Sequence, residues 1–150
     1  MSGLKQGSHG EVIERVSCLV DLVEAPSDVS SLAELVWTLR ALTTWHRDHP
    51  LDSQALCEWQ ATGPVGFLPV DLGLADLVDQ LIDEGIADLA GMSPREYVDA
   101  VHSMLTHSHR RWRDSGYPPN WRVVLINAAL RLAGVPEQAR IAVYQELEAH

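Results

Sequence analysis

The chain is almost without lysine: Lys5 stands alone beside ten arginines, and the 11 basic residues face 21 acidic ones for a formal net charge of -10. A protein that grips nucleic acid by its phosphates needs clustered cations, so this balance argues against nucleic acid as a partner. Cysteine is equally sparse. Cys18 and Cys57 lie far apart in neither a C-x-x-C nor a zinc-like spacing, which gives no disulfide framework and fits free thiols in a reducing, cytoplasmic compartment. Long apolar runs are missing too. The most apolar stretch, Val123 to Ala133, is too short to span a bilayer and carries Asn127 and Arg131. Met1 to Gly10 has no apolar run behind a basic start, so neither a signal peptide nor an anchor is expected there. The sequence therefore predicts a soluble protein with no membrane partner.

What is present suits one globular domain over residues 1–150, with residues 1–9 as a flexible tail. The hydrophobic fraction of 46% against 21% charged residues is enough for a self-sufficient core, and a chain of 150 residues removes roughly 70% of its unfolded surface from water. Charge is divided unevenly. Residues 1–91 hold 15 acids against 4 bases, and residues 92–150 hold 6 acids against 7 bases.

Periodicity and start signals predict an all-α fold, a compact irregular bundle of about six or seven helices. Ser8 and Glu11 stand in capping-box relation before Val12, Ile13, Val16, Leu19, Val20 and Val23, and Pro26 ends that run. Ser31 and Glu34 repeat the relation before a stripe of Leu32, Leu35, Val36, Leu39 and Leu42, while Ala33, Trp37 and Ala41 lie opposite, so this helix is expected to touch neighbours on two sides. His49-Pro50 stops it, and Asp52 or Ser53 can cap a short helix to about Trp59. Ala61 to Val70 reads as irregular, and helical period returns from Asp71 to Glu84. Ser93-Pro94-Arg95-Glu96 combines an N-cap hydroxyl, a proline at the first position and a reciprocal glutamate, predicting a long helix to about Asp114. Trp121 to Ala133, apolar nearly all round, reads as the central buried helix, and a last helix from Pro136 to Glu148 turns Ile141, Tyr144 and Leu147 inward.

Seven histidines raise the question of acid/base or metal chemistry. At 100° per residue His46 projects with the leucine stripe of its helix, and His102 and His109 project together with Val98, Leu105 and Trp112. A buried imidazole can be tuned to neutral pH, which makes these three the candidates for a general acid or base. If they converged they could instead ligate zinc or iron, with Asp48, His49 or Asp52 nearby, although the usual helical ligand spacing is absent. The alternative for each is a packed ring hydrogen-bonded to a carbonyl.

Residues 107–122 concentrate Arg110, Arg111, Arg113 and Arg122 beside Trp112, Tyr117 and Trp121. Guanidiniums offer bidentate donors to phosphate or carboxylate and aromatic rings offer stacking faces, so this is the candidate binding site for an anionic small molecule or acidic partner. Against it stands the preference of cations for helix C-termini and of tryptophans for core positions. Asp76, Asp79 and Asp83 form an acidic ridge that reads as a solvated face. Asp71-Leu72-Gly73-Leu74-Ala75-Asp76-Leu77 resembles the modification segment of acyl carrier proteins, yet Asp76 stands where that family carries its phosphopantetheine serine, so no function follows from it. Trp45 and Trp59 flank the irregular stretch and suggest an aromatic pocket beneath it.

The resulting expectation is a non-catalytic interaction or regulatory module that binds a protein partner or a second copy of itself and needs no cofactor. Two alternatives compete with it: a small enzyme or small-molecule binder using the histidines and the Arg/Trp residues, and a histidine-ligated metal protein.

Overall fold

The structure, a computed structural model, describes residues 27–62 and 69–149, the side chains of residues 59–62, 69 and 70 excepted. The helix predicted from Glu11 to Val23, Cys18 and the Trp59 ring lie outside the described residues. Those described form six helices and no strand: α1 (Ser31–Asp48), α2 (Pro50–Thr62), α3 (Pro69–Asp83), α4 (Pro94–Ser115), α5 (Trp121–Leu132) and α6 (Glu137–Glu148). The all-α bundle read from the sequence is the fold observed. No helix among them is long and apolar enough to cross a membrane.

The start signals act largely as read. Ser93 accepts a hydrogen bond from the Glu96 backbone while the Glu96 carboxylate accepts one from the Ser93 N–H, closing the predicted capping box at α4. At α1 the cap is one residue earlier than expected: Ser30, not Ser31, accepts from Ala33 N–H. The Ser30 hydroxyl and backbone N–H both donate to Glu146, at 2.6 and 2.8 Å, and so fasten the start of α1 to α6. Pro50 occupies the first position of α2, where its missing N–H costs nothing, and only His49 separates α1 from α2. Ser53 is therefore set inside a helix rather than at its cap. Both ends of the stretch predicted as irregular are helical, since α2 runs to Thr62 and α3 begins at Pro69, and its middle lies outside the described residues.

The central helix is α1, which packs against each of the other five. Leu32, Leu35, Leu39 and Leu42 are buried on one side, and Ala33 and Val36 are buried beside them. This corrects the expectation that Trp121 to Ala133 is the buried centre. Leu125, Ile126, Ala129 and Leu130 of α5 are buried, but Val123 and Val124 are 52% and 41% exposed, because α5 packs on α1 and α4 from one side only. In α6 the buried residue is Val143; Tyr144 and Leu147 are half-buried and Ile141 is exposed. The connection after α3 is pinned to the α5–α6 turn by Asp88 N–H donating to the Ala133 carbonyl at 2.8 Å. The neighbouring Gly134 has φ +73°, and a Cβ there would lie 2.1 Å from the Asp88 carbonyl oxygen, so only glycine fits.

Candidate functional site

A polar seam runs through the core between α1, α2, α3 and α4. His46 comes from the leucine face of α1, Ser53 from the second turn of α2, Asp71 from the first turn of α3, and His102 and Thr106 from consecutive turns of α4. All five are buried, His46, Ser53 and His102 completely. The contacts form a single line: Thr106 Oγ1 to Ser53 Oγ at 2.9 Å, Ser53 Oγ to His46 Nδ1 at 2.6 Å, His46 Nε2 to His102 Nδ1 at 3.0 Å, and His102 Nε2 to Asp71 Oδ1 at 2.6 Å.

With a single proton on His102, donor and acceptor roles along this line follow from its acidic end. A carboxylate at Asp71 only accepts, so His102 Nε2 carries its proton and the neutral ring presents a bare Nδ1. His46 Nε2–H donates to that nitrogen, which leaves His46 Nδ1 to accept from the Ser53 hydroxyl. Ser53 in turn accepts from Thr106. Every donor and acceptor in the seam is satisfied, as a buried polar network requires. Burial holds His46 well below its ordinary pKa, and positive charge on His102, His109, Arg113 or His49 would act in the same direction. His46 is therefore neutral at neutral pH.

The structure brings His46 and His102 together but sends His109 elsewhere. Its ring lies in an aromatic cage of Trp112, Tyr117 and Trp121, with centroids 6.3, 5.6 and 5.4 Å away, and Nδ1 pairs with the Tyr117 hydroxyl at 2.9 Å. Nε2 is buried without a hydrogen-bond partner among the described residues. Burial pushes the His109 imidazole down to about 4. The two paired histidines offer nitrogens to each other, and Asp71 meets the far nitrogen of His102. Among the described residues no group of three histidine, cysteine or acidic side chains is arranged to hold a metal ion.

The predicted Arg/Trp patch divides in the same way. Trp112, Tyr117 and Trp121 surround His109, whereas Arg110, Arg111 and Arg113 are exposed, Arg113 one turn beyond His109 and close enough to act on it and on Tyr117 electrostatically. Arg122 turns toward α1. Its guanidinium lies 4.7 Å from the Trp121 ring centroid and donates a long bond of 3.4 Å to Thr44 Oγ1.

Arg122 there closes a cleft of about 470 Å³ whose floor is the second face of α1, where Trp37, Arg40, Ala41, Thr44, Trp45 and Asp48 recur at helical spacing. His49 completes the wall, its ring stacked on Trp45 at 5.3 Å, while Trp45 also meets His46 edge-on at 5.0 Å. Asp48 is engaged by Arg47 at 2.9 Å, and this hydrogen bond holds its carboxyl below the ordinary range. Arg40 and Arg122 have no carboxylate partner among the described residues. Partial burial lowers the Arg122 pKa, and the like charges of Arg47 and Arg40 lower it further. That is the electrostatic environment of a site short of an anion. Arg40 and the cleft went unnoticed in the sequence because an arginine among exposed helical positions gives no signal there; the spacing of Trp37, Ala41 and Trp45 was the available clue.

Compared with known proteins, the chain matches no family model, no curated protein and no solved structure.

Proposed function

We propose that this protein is a non-catalytic binding module that takes a small anionic molecule with a flat, apolar part into the cleft between α1 and α5. The observation that carries this reading is the pair of guanidiniums, Arg40 and Arg122, with no acidic partner among the described residues, at the wall of a cavity lined by Trp37 and Trp45. A planar guanidinium matches carboxylate or phosphate with two donors, and the indoles supply stacking area. Size is in keeping, since ligand cavities start at about 300 Å³. The reading keeps the non-catalytic character of the first expectation, takes the small-molecule ligand from its alternative, and replaces Arg110 and Arg113 with Arg40 as partners of Arg122.

The buried seam supports a role in positioning rather than in catalysis. Its two hydroxyls, Ser53 and Thr106, are both buried and each is bonded within the seam. The seam fixes the rotation of α1, so that one face holds His46 in the core and the other presents the cleft.

Calorimetric titration with 1-naphthoate, AMP, adenosine and inorganic phosphate tests the proposal. The ring-bearing anions should bind at least tenfold tighter than adenosine or phosphate, with affinity falling as salt rises. Arg40→Gln and Arg122→Gln should each lose most of that affinity while the thermal midpoint stays within a few degrees. Absence of saturable binding by both 1-naphthoate and AMP would overturn the proposal.

A further inference from the structure

A second cavity of about 230 Å³ adjoins the first and shares Arg40 and Arg122 with it. Its character is different. Val36, Val123, Ile126 and Leu147 make an aliphatic wall from α1, α5 and α6, and Tyr144 contributes to the lining. The Tyr144 hydroxyl is shielded from solvent with no hydrogen-bond partner among the described residues. An orphaned buried hydroxyl costs stability. Val123 is 52% exposed, apolar surface that no described residue covers.

Resting on the proposed function, we infer that the ligand is an amphipathic anion in three parts: a flat ring, a central carboxylate or phosphate, and an uncharged aliphatic chain. The ring occupies the Trp37/Trp45 lobe, the anionic group sits between the two guanidiniums common to both lobes, and the chain lies along Val36, Val123, Ile126 and Leu147. Glu148 lines the second lobe and its carboxylate selects against a second negative charge at the end of the chain.

N-acyl phenylalanines carry these three parts. Titration calorimetry would compare N-acetyl-, N-hexanoyl- and N-succinyl-phenylalanine on the full chain. Each methylene taken out of water is worth up to about fourfold in affinity, so the hexanoyl compound should bind at least tenfold tighter than the acetyl one. The succinyl compound, with a carboxylate at its end, should bind more weakly than the hexanoyl compound by a similar factor. Val123→Glu, at an exposed position of α5, should bring the affinity ratio of the hexanoyl to the acetyl compound close to one.

Equal affinity of the acetyl and hexanoyl compounds, or a chain-length gain that survives Val123→Glu, would overturn the inference while leaving the anion site standing. Failure of both 1-naphthoate and AMP to bind would overturn the proposed function and this inference with it.

Discussion

Removing a single oxygen from the buried seam should be felt more strongly than its size suggests. Ser53→Ala takes away a hydroxyl that has no exposed surface and bridges α1 to α4, and it leaves two groups behind without it. His46 Nδ1 loses its only donor. Thr106 loses its 2.9 Å acceptor and retains the longer 3.4 Å bond to the Ser53 carbonyl. An orphaned buried polar group costs about 1–3 kcal/mol, so one complete and one partial orphan should together cost about 2–4 kcal/mol. In urea, with a slope of about 2 kcal/mol/M, the unfolding midpoint should fall by about 1–2 M at unchanged slope. The double variant Ser53→Ala/Thr106→Val removes one of the orphans along with its partner. Its cost should fall short of the summed single costs by about 1 kcal/mol, the mark of two groups in one network. A loss below about 0.5 kcal/mol for Ser53→Ala would refute the reasoning, because it would mean that the hydroxyl is not part of a closed hydrogen-bond chain.

Two further outcomes are expected. His46 and His109 are both held below the ordinary 6.5, by burial first, so the unfolded chain binds more protons than the folded one as pH falls below 6.5; stability is greatest above that value and declines down to the folded pKa, about 4 for His109. His109 alone accounts for about 3 kcal/mol over that window, and urea midpoints measured from pH 7 to 4.5 that do not move would contradict its burial. Gly134→Ala meets both a φ of +73° and the Asp88 carbonyl 2.1 Å from the new Cβ, so it should cost about 3 kcal/mol or more, whereas Gly85→Ala, at φ +75° with nothing within 4 Å, should cost about 1 kcal/mol; thermal unfolding of the two variants side by side checks the difference.

The fold was legible where a local rule coincides with the tertiary requirement. The Ser93/Glu96 box and the leucine stripe of α1 are such places, and the inward projection of His46, His102 and His109 followed from helical angle alone. Which of these rings would meet was not legible, since seven residues along α4 carry His109 two turns beyond His102 and into a cage built by the α4–α5 connection. Asp71 and Ser53 were missed for a different reason. An aspartate in a first turn and a serine near a helix start satisfy ordinary capping preferences, and nothing local distinguishes a residue that serves its own helix from one that reaches across to another. The apolar pattern of α5 misled because periodicity reports how much surface is apolar and not whether a neighbour is there to cover it; Val123 and Val124 remain outside.

The seam has a second complete hydrogen-bond pattern. If one proton is added, His102 donates from both nitrogens, to Asp71 and to His46 Nε2; His46, still neutral, donates from Nδ1 to Ser53; Ser53 turns its hydrogen to Thr106 Oγ1; and Thr106 turns its own to the Ser53 carbonyl. Two hydroxyl rotations and one tautomer exchange convert the first pattern into the second, with the heavy atoms in place. The interior of this bundle is thus reversible in polarity, like a compass needle that swings inside a rigid case. Two crystal structures taken on either side of the change would superimpose, and only the imidazole nitrogen resonances would tell them apart.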